Sequence, residues 1–496
     1  MTATLNSTDL ITRFDMTMAP DDRRVVIKLF VPGEDAQLVQ NRASRLIERI
    51  LQLDEDQTTR LLDDVLARFA GRHHDICNVF QHHYDLVSHR VPAEIELSPT
   101  ARTLIGAYFS HEYSVEAAAL CNPSMMPHPD QTELEPGEFR AAISVRQIGE
   151  AHISSIGFCT AVLGPGDTIR IEDRSGPLMI GARTGAKHQH NLLMAGLAEE
   201  ELDNEASAFV LSALPERYDD DEFEDVIGHL PGELLARPTT PETLEAIRRI
   251  VATDYAVTFP ATVPLDQRVL WPATPAESNG MEDARFVQVD DPDGRHSYYA
   301  TYTAYDGRHI GGRMLHTRDL RHFEVTALRG PAARNKGMAL FPRPVGGRHL
   351  ALCRSDGETL GLSTRNDQMQ WLEPVPLLVP HRGWDLIQVG NCGSPVETEA
   401  GWLVLTHGVG PMRRYAIGAM LLALEEPERV LADLPYGLLE PDEVEREGYV
   451  PNVVYSCGGL VHDGRFWLPY GASDVRLGFA SITLDRLIEQ MVPITR

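Results

Sequence analysis

The sequence predicts a mainly β protein with an α-helical N-terminal region and a helical insertion, and three observations carry that prediction. Apolar residues recur at helical spacing through roughly the first hundred residues. From Phe139 the pattern switches to alternation rich in β-branched residues. From Tyr255 to the C-terminus, short alternating runs are separated by Gly, Asp and Asn turns almost without break. The expected division is residues 1–116 as a mostly helical region and residues 117–496 as the β domain, with the insertion at about 190–255.

Residues 1 to about 38 are mixed, with one strand expected from Arg24 to Val31. Leu46, Ile47, Ile50, Leu51 and Leu53 form one apolar stripe; Leu61, Leu62, Val65, Leu66 and Phe69 form another after the start signal Asp54-Glu55-Asp56. Two more helical stretches are expected from Asp75 to Val87 and from Pro99 to Ala119. Phe139 to Val145, His152 to Leu163 and Thr168 to Ile171 read as strands, and His190 to Thr253 as helices. The acidic run Asp219 to Asp225 reads as a solvated loop or helix start. A weak repeat relates His316–Phe323 to Ser363–Trp371, about 47 residues apart. Each copy is expected to be a turn closed by an aromatic. The spacing suits one four-stranded propeller blade, and a sandwich of hairpins would also produce it.

At 496 residues the chain is long enough for more than one unit and a large core. The net charge of -27 excludes non-specific binding to nucleic acid or to an anionic membrane, although a local basic pocket can sit in an acidic surface. No apolar run approaches the length of a membrane span, and Met1 to Val25 lacks the basic-then-apolar order of a signal peptide. Six scattered cysteines without a CxxC pair read as reduced thiols, so a cytoplasmic location and no zinc site are expected. The pairs His188/His190 and His73/His74 lack a third ligand at suitable spacing and read as solvated or capping histidines.

Polar residues embedded in strand-like surroundings mark the chemistry. Ser278 to Arg285 places Glu282, Asp283 and Arg285 together at a strand mouth. An acid beside an Arg and apolar walls can donate a proton to a leaving oxygen. Taken alone, the same residues also read as a turn whose carboxylates cap backbone amides. Further segments of this kind are Cys121–Ser124, Ser144–Arg146 with Gly149–Ser155, Asn335–Pro342, Gly393–Pro395 with Thr406–Val409, and Pro469–Asp474.

With these residues in view, the chain resembles glycoside hydrolase family 130, the inverting β-mannoside phosphorylases and β-mannosidases built on a five-bladed β-propeller. The resemblance covers about residues 117 to 485, apart from a large insertion between about 185 and 265. It rests on eight segments in the same order: Asn122-Pro123-Ser124, Gly149–Ile156, Gly280–Arg285, Thr301–Gly307, Lys336–Pro342, Gly393–Val409, Gly448–Gly458 and Tyr470–Asp474. The resemblance implies that Asp283 is the general acid. Ala284 stands where the family usually has Pro. It further implies that Lys336, His407, Tyr415 and Arg318 bind phosphate, and that Asn122, Ser124, Arg146 and Asp474 bind sugar, with Glu282 a sugar-hydroxyl or structural partner.

An inverting hydrolase needs an acid and a base, whereas phosphate is already a nucleophilic anion and needs only cations to hold it in line. Family hydrolases replace the phosphate ligands with carboxylates, so the resemblance, with Lys336 and His407 both retained, implies cleavage of a β-linked mannosyl oligosaccharide by inorganic phosphate, giving α-mannose 1-phosphate. The family mechanism implies that the acid acts through a hydroxyl of the reacting mannose. No cofactor is expected beyond phosphate as co-substrate. Two alternatives stand beside this reading: a β-mannosidase on the same scaffold, and a non-catalytic sugar-binding propeller. The N-terminal helices and the insertion lie outside the resemblance. They are expected to wall off the acceptor side or to build a homo-oligomer interface.

Overall fold

The computed structural model describes residues 10–33, 36–291 and 293–494. The first nine residues of the N-terminal stretch discussed above lie outside it. Among the described residues, most antiparallel strands can be taken as five groups in chain order, the first two joined in one twelve-stranded sheet. The first comprises Ala119–Pro127, Phe139–Ile148, Ser154–Gly164 and Thr168–Ile171. The second comprises Gly280–Asp290, His296–Tyr305, Ile310–Thr317 and His322–Ala327. Ala339–Leu340, Leu350–Cys353, Leu360–Thr364 and Val375–Leu378 make the third. The fourth is centred on Gly401–Val409 and Tyr415–Leu422, the fifth on Arg465–Ala472 and Arg476–Thr483.

Apolar side chains seal each group to the next. Phe158 of the first packs with Phe286 and Phe323 of the second. Ala351 and Cys353 of the third meet Trp371 and Ala332. Leu352 and Leu362 meet Trp402, Val404 and Met420 of the fourth. Leu405 and Ile417 meet Leu468 and Ile482 of the fifth. The fifth returns to the first through Trp467 and Phe479 against Ile143 and Cys159. The repeat takes a physical form here. Both copies are turns between third and fourth strands, and their aromatics Phe323 and Trp371 are buried between neighbouring groups.

The N-terminal segment differs from its expected boundary. Ile11–Met18 pairs with Arg476–Thr483, so residues before 116 complete the fifth sheet, and Phe14 stacks on Trp467 at 5.7 Å. The strand expected at Arg24–Val31 is Val25–Leu29. Helices follow at Ala36–Leu51, Glu55–Phe69, Ile76–Val87 and Pro99–Tyr108. Asp54 starts the second through a reciprocal capping box with Gln57, and Ser98 caps the last. That last helix is shorter than the stretch to Ala119 expected from its pattern. It stops at Tyr108, because Ser110–Ser114 pairs instead with Val25–Leu29. The insertion holds helices His190–Glu199, Glu205–Ala213, Asp220–Gly228, Gly232–Leu235 and Thr240–Val251 around their own apolar core. Its acidic run is a helix start: Asp219 accepts from the Glu222 amide, and Glu222 accepts from the Asp219 amide.

Candidate active site

Two strand irregularities build the site. In Gly280–Asp290 the register with the neighbouring strand jumps between Glu282 and Arg285, and Asp283 takes φ 59°. In Ala119–Pro127 the register jumps between Cys121 and Ser124, and Asn122 takes φ 50°. Asp and Asn tolerate this left-handed region better than most residues, at a cost of about 1–2 kcal/mol each. The bulges aim the two side chains at each other: Asn122 Nδ2 donates to Asp283 Oδ1 at 2.5 Å.

Cations surround this pair. Arg146 places Nη1 3.3 Å from Asp283 Oδ1 and Nη2 2.7 Å from Glu282 Oε1, while its Nε donates to Ser154 Oγ at 3.0 Å. Lys336 Nζ lies 2.5 Å from Glu282 Oε2. Arg285 is fully buried, donating to the Asp283 main-chain carbonyl at 2.8 Å and to the Tyr455 hydroxyl at 2.7 Å. Burial pushes the Asp283 carboxyl up, yet Arg146, Arg285, Lys336 and the Asn122 amide together hold it below the usual carboxylate range. Asp474 sits in the turn Ser473-Asp474, both residues at positive φ. Burial dominates there and lifts its carboxyl to about 6, opposed by Arg146 and Arg413 and reinforced by the neighbouring Asp283 charge.

His407 lies on Gly401–Val409 opposite Gly390, where any side chain would collide with its ring. Its partners fix its state. Nδ1 faces the Asn391 carbonyl at 3.2 Å and so must carry the proton; Nε2 faces Arg354 Nη1 at 3.2 Å and so must be bare. The ring is therefore neutral, consistent with burial and the Arg354 and Arg285 charges depressing its pKa well below the ordinary value. Tyr415 stacks beside it at 6.1 Å and Tyr455 meets it edge-on at 4.9 Å.

The structure thus brings Asn122, Arg146, Glu282, Asp283, Lys336 and Asp474 together, with His407 and Tyr415 on an adjoining wall. Three expectations change. Arg318 lies at the far end of the second sheet, in the exposed turn after Ile310–Thr317, 3.4 Å from Asp291. Turns between third and fourth strands emerge opposite the end where Gly280–Asp290 begins, so Arg318 cannot reach Asp283. Ser124 is fully buried and its hydroxyl accepts from the Phe286 amide at 3.0 Å, fixing the bulge instead of facing a sugar. His407, being neutral with both nitrogens engaged, serves as the rest for a cation, and Arg354 is that cation. Arg354 and Tyr455 were given no site role from the sequence, whereas Arg285 was marked there beside Asp283. The signal for Arg354 is its position directly after the buried strand Leu350–Cys353; Tyr455 lay within the quoted segment Gly448–Gly458.

Asn122 Oδ1, Arg285 Nε, Arg354 Nε and Asn391 Oδ1 are buried without a hydrogen-bond partner, as are buried polar atoms elsewhere among the described residues.

Comparison with known proteins agrees with the residues. Residues 261–492 match the glycoside hydrolase family 130 model, described as beta-1,4-mannooligosaccharide phosphorylase. A 1,2-beta-oligomannan phosphorylase of Thermoanaerobacter sp. (strain X514) is 31% identical over 224 residues, 44% of this chain and 74% of that protein. A beta-1,2-mannobiose phosphorylase of the same organism is 31% identical over 228 residues, 45% of this chain and 73% of the relative. Among solved structures, the beta-1,2-mannobiose phosphorylase of Listeria innocua in complex with beta-1,2-mannobiose is 18% identical with a TM-score of 0.45, covering 76% of this chain and 93% of that one. The chain belongs to glycoside hydrolase family 130.

Proposed function

We propose that this protein is an inverting glycoside phosphorylase that cleaves β-linked mannosyl oligosaccharides with inorganic phosphate, releasing α-mannose 1-phosphate and a shortened acceptor. One observation carries the reading. Asp283 is held on a strand bulge among Arg146, Arg285 and Lys336, while both oxygens of its neighbour Glu282 are taken by Arg146 and Lys336. Glu282 is not free to act as a base, and the cations suit an incoming dianion. The names of the relatives support the same activity.

In this reading phosphate draws Lys336 away from Glu282 and settles opposite the leaving oxygen. Its charge weakens the cationic hold on Asp283 and lifts that carboxyl toward the protonated form needed for acid catalysis. A phosphate oxygen bonds to the anomeric carbon as the glycosidic C–O bond breaks. The leaving oxygen gains a proton that originates on Asp283 and passes through a mannose hydroxyl. The five sheet groups, each sealed to the next and the last to the first, are read as the five blades of a propeller whose centre holds the site. A cytoplasmic setting, in keeping with six free thiols, belongs to the same proposal. So does self-association through the helical regions, where Leu86, Ile95 and Tyr108 are exposed.

The test is to incubate β-1,2-, β-1,3- and β-1,4-linked mannobioses with and without phosphate. Release that requires phosphate is expected; mannose release indifferent to phosphate would make the enzyme a hydrolase.

A further inference from the structure

The rim of the site carries an aromatic platform that none of the chemistry above uses. His152 and Tyr449 are both exposed, and their rings lie nearly parallel, 5.7 Å apart with 24° between planes. The Tyr449 hydroxyl lies 3.2 Å from His152 Nδ1, tying the rings into one surface. The two residues are 297 positions apart and come from opposite ends of the β domain, so the pair bridges the first and last sheets.

Both loops are fastened to their neighbours and stand at the site end. The turn carrying His152 joins Phe139–Ile148 to Ser154–Gly164, and Ser154 bonds Arg146. It is braced from the N-terminal region by the Tyr113 hydroxyl, which donates to the Glu150 carbonyl at 2.7 Å. Ala151 and His152 are at φ 53° and 60°, a conformation that glycine would adopt with less strain. Holding a His there fixes the direction of its ring, and strain of this kind gathers at functional surfaces. The loop carrying Tyr449 is fastened to the Asp474 turn. The Val450 amide donates to the Ser473 carbonyl at 2.9 Å, and Gly448 lies so close to Ser473 that an added Cβ would collide.

We propose that His152 and Tyr449 form the acceptor-side subsite, the platform on which the sugar beyond the cleaved bond stacks. The inference rests on the phosphorylase reading and adds the part of the substrate it leaves unplaced. Flat rings with a polar edge match a pyranose, which presents a C–H face and a rim of hydroxyls. Asp474 and the exposed Arg413, which faces it, stand alongside to bind hydroxyls. Placement decides which sugar. Lys336 reaches Glu282 from the segment leading into the third sheet, whereas the platform and Asp474 belong to the first and fifth. An in-line displacement puts phosphate and leaving group on opposite sides of the reacting carbon, so the side away from Lys336 receives the leaving sugar.

The experiment runs the reaction in the synthetic direction, from α-mannose 1-phosphate and a β-mannobiose acceptor, with Tyr449→Ala, His152→Ala and Tyr449→Phe. The alanine variants are expected to raise the acceptor KM about tenfold while the KM for α-mannose 1-phosphate stays within about twofold. Tyr449→Phe, which keeps the ring but loses the contact with His152 Nδ1, is expected to raise the acceptor KM less than Tyr449→Ala does. An acceptor KM unchanged in both alanine variants, or equal changes in both KM values, would overturn the subsite. If the wild-type enzyme shows no phosphate-dependent chemistry, the phosphorylase reading fails by itself. Calorimetric titration of β-mannotriose into wild type and Tyr449→Ala then decides the platform separately. Weaker binding to the variant upholds a sugar subsite, and equal binding or none to wild type removes it.

Discussion

Two buried carboxylates stand six residues apart in this chain and are treated in opposite ways. Glu277 accepts hydrogen bonds from the Tyr255 hydroxyl, the Tyr302 hydroxyl and the amides of Ala273 and Thr274. It is fully buried and all its partners are neutral donors from its own sheet and loop. Asp283 is held by Arg146 and Asn122 on a strained bulge, with Asn122 Oδ1 left unpartnered. A satisfied carboxylate stabilises a fold; a carboxylate held by cations and incomplete neighbours is ready for a ligand. Glu277 lies in the short helix Pro275–Glu277, just before Gly280–Asp290.

The comparison breaks most visibly in activity. Asp283→Asn is expected to lower kcat by about 10²–10⁴-fold. Its melting temperature should move only slightly, because Arg285 bonds the main-chain carbonyl of residue 283 and Arg146 keeps Glu282. Steady-state kinetics with thermal melting would check both halves. A collapse of the fold with Asp283→Asn would erase the distinction.

Glu277→Ala is expected to do the reverse. Two tyrosine hydroxyls and two amides lose their acceptor, destabilising the protein by about 3 kcal/mol or more. Urea denaturation should report that loss, while kcat per folded molecule stays near wild type.

Lys336→Ala sharpens the comparison on the phosphate side. The KM for phosphate is expected to rise about tenfold or more, with the mannoside KM little changed. Substrate titrations at fixed phosphate, and the converse, separate the two.

The smallest effect concerns pH. The folded-state carboxyl of Asp474 is raised from its ordinary value to about 6. The stability linked to it is fully present below about pH 4 and is lost as pH rises through about 6. Asp474→Asn should flatten that part of the stability–pH curve, read as melting temperature between pH 4 and 7. An unchanged slope would contradict a buried Asp474 carboxyl beside Asp283.

Much of this was legible in the sequence, for reasons that differ by residue. Asn122, Arg146, Asp283 and Lys336 came from segments whose order resembles a family, and the fold does converge them. Periodicity placed the helices and the β-rich remainder. It missed the strand Ile11–Met18, whose pairing with Arg476–Thr483 is nearly as long-range as the chain permits. Arg318 misled because a Thr-Arg-Asp-Leu turn and a Glu-Asp-Ala-Arg bulge are both short polar punctuation. Only strand direction tells which end of the sheet each occupies. Glu277 was readable as the end of a Thr274-x-x-Glu capping box, a pattern with a local meaning that hid its link to Tyr255 and Tyr302. The neutral state of His407 depends on the Asn391 carbonyl and Arg354, which no spacing reveals.

The most direct test of the account is a proton and phosphorus NMR time course of β-mannobiose digestion in phosphate buffer. The account predicts α-mannose 1-phosphate as the first product with wild-type enzyme and none with Asp283→Asn. Free mannose as the sole first product, formed at the same rate when phosphate is left out, would contradict it.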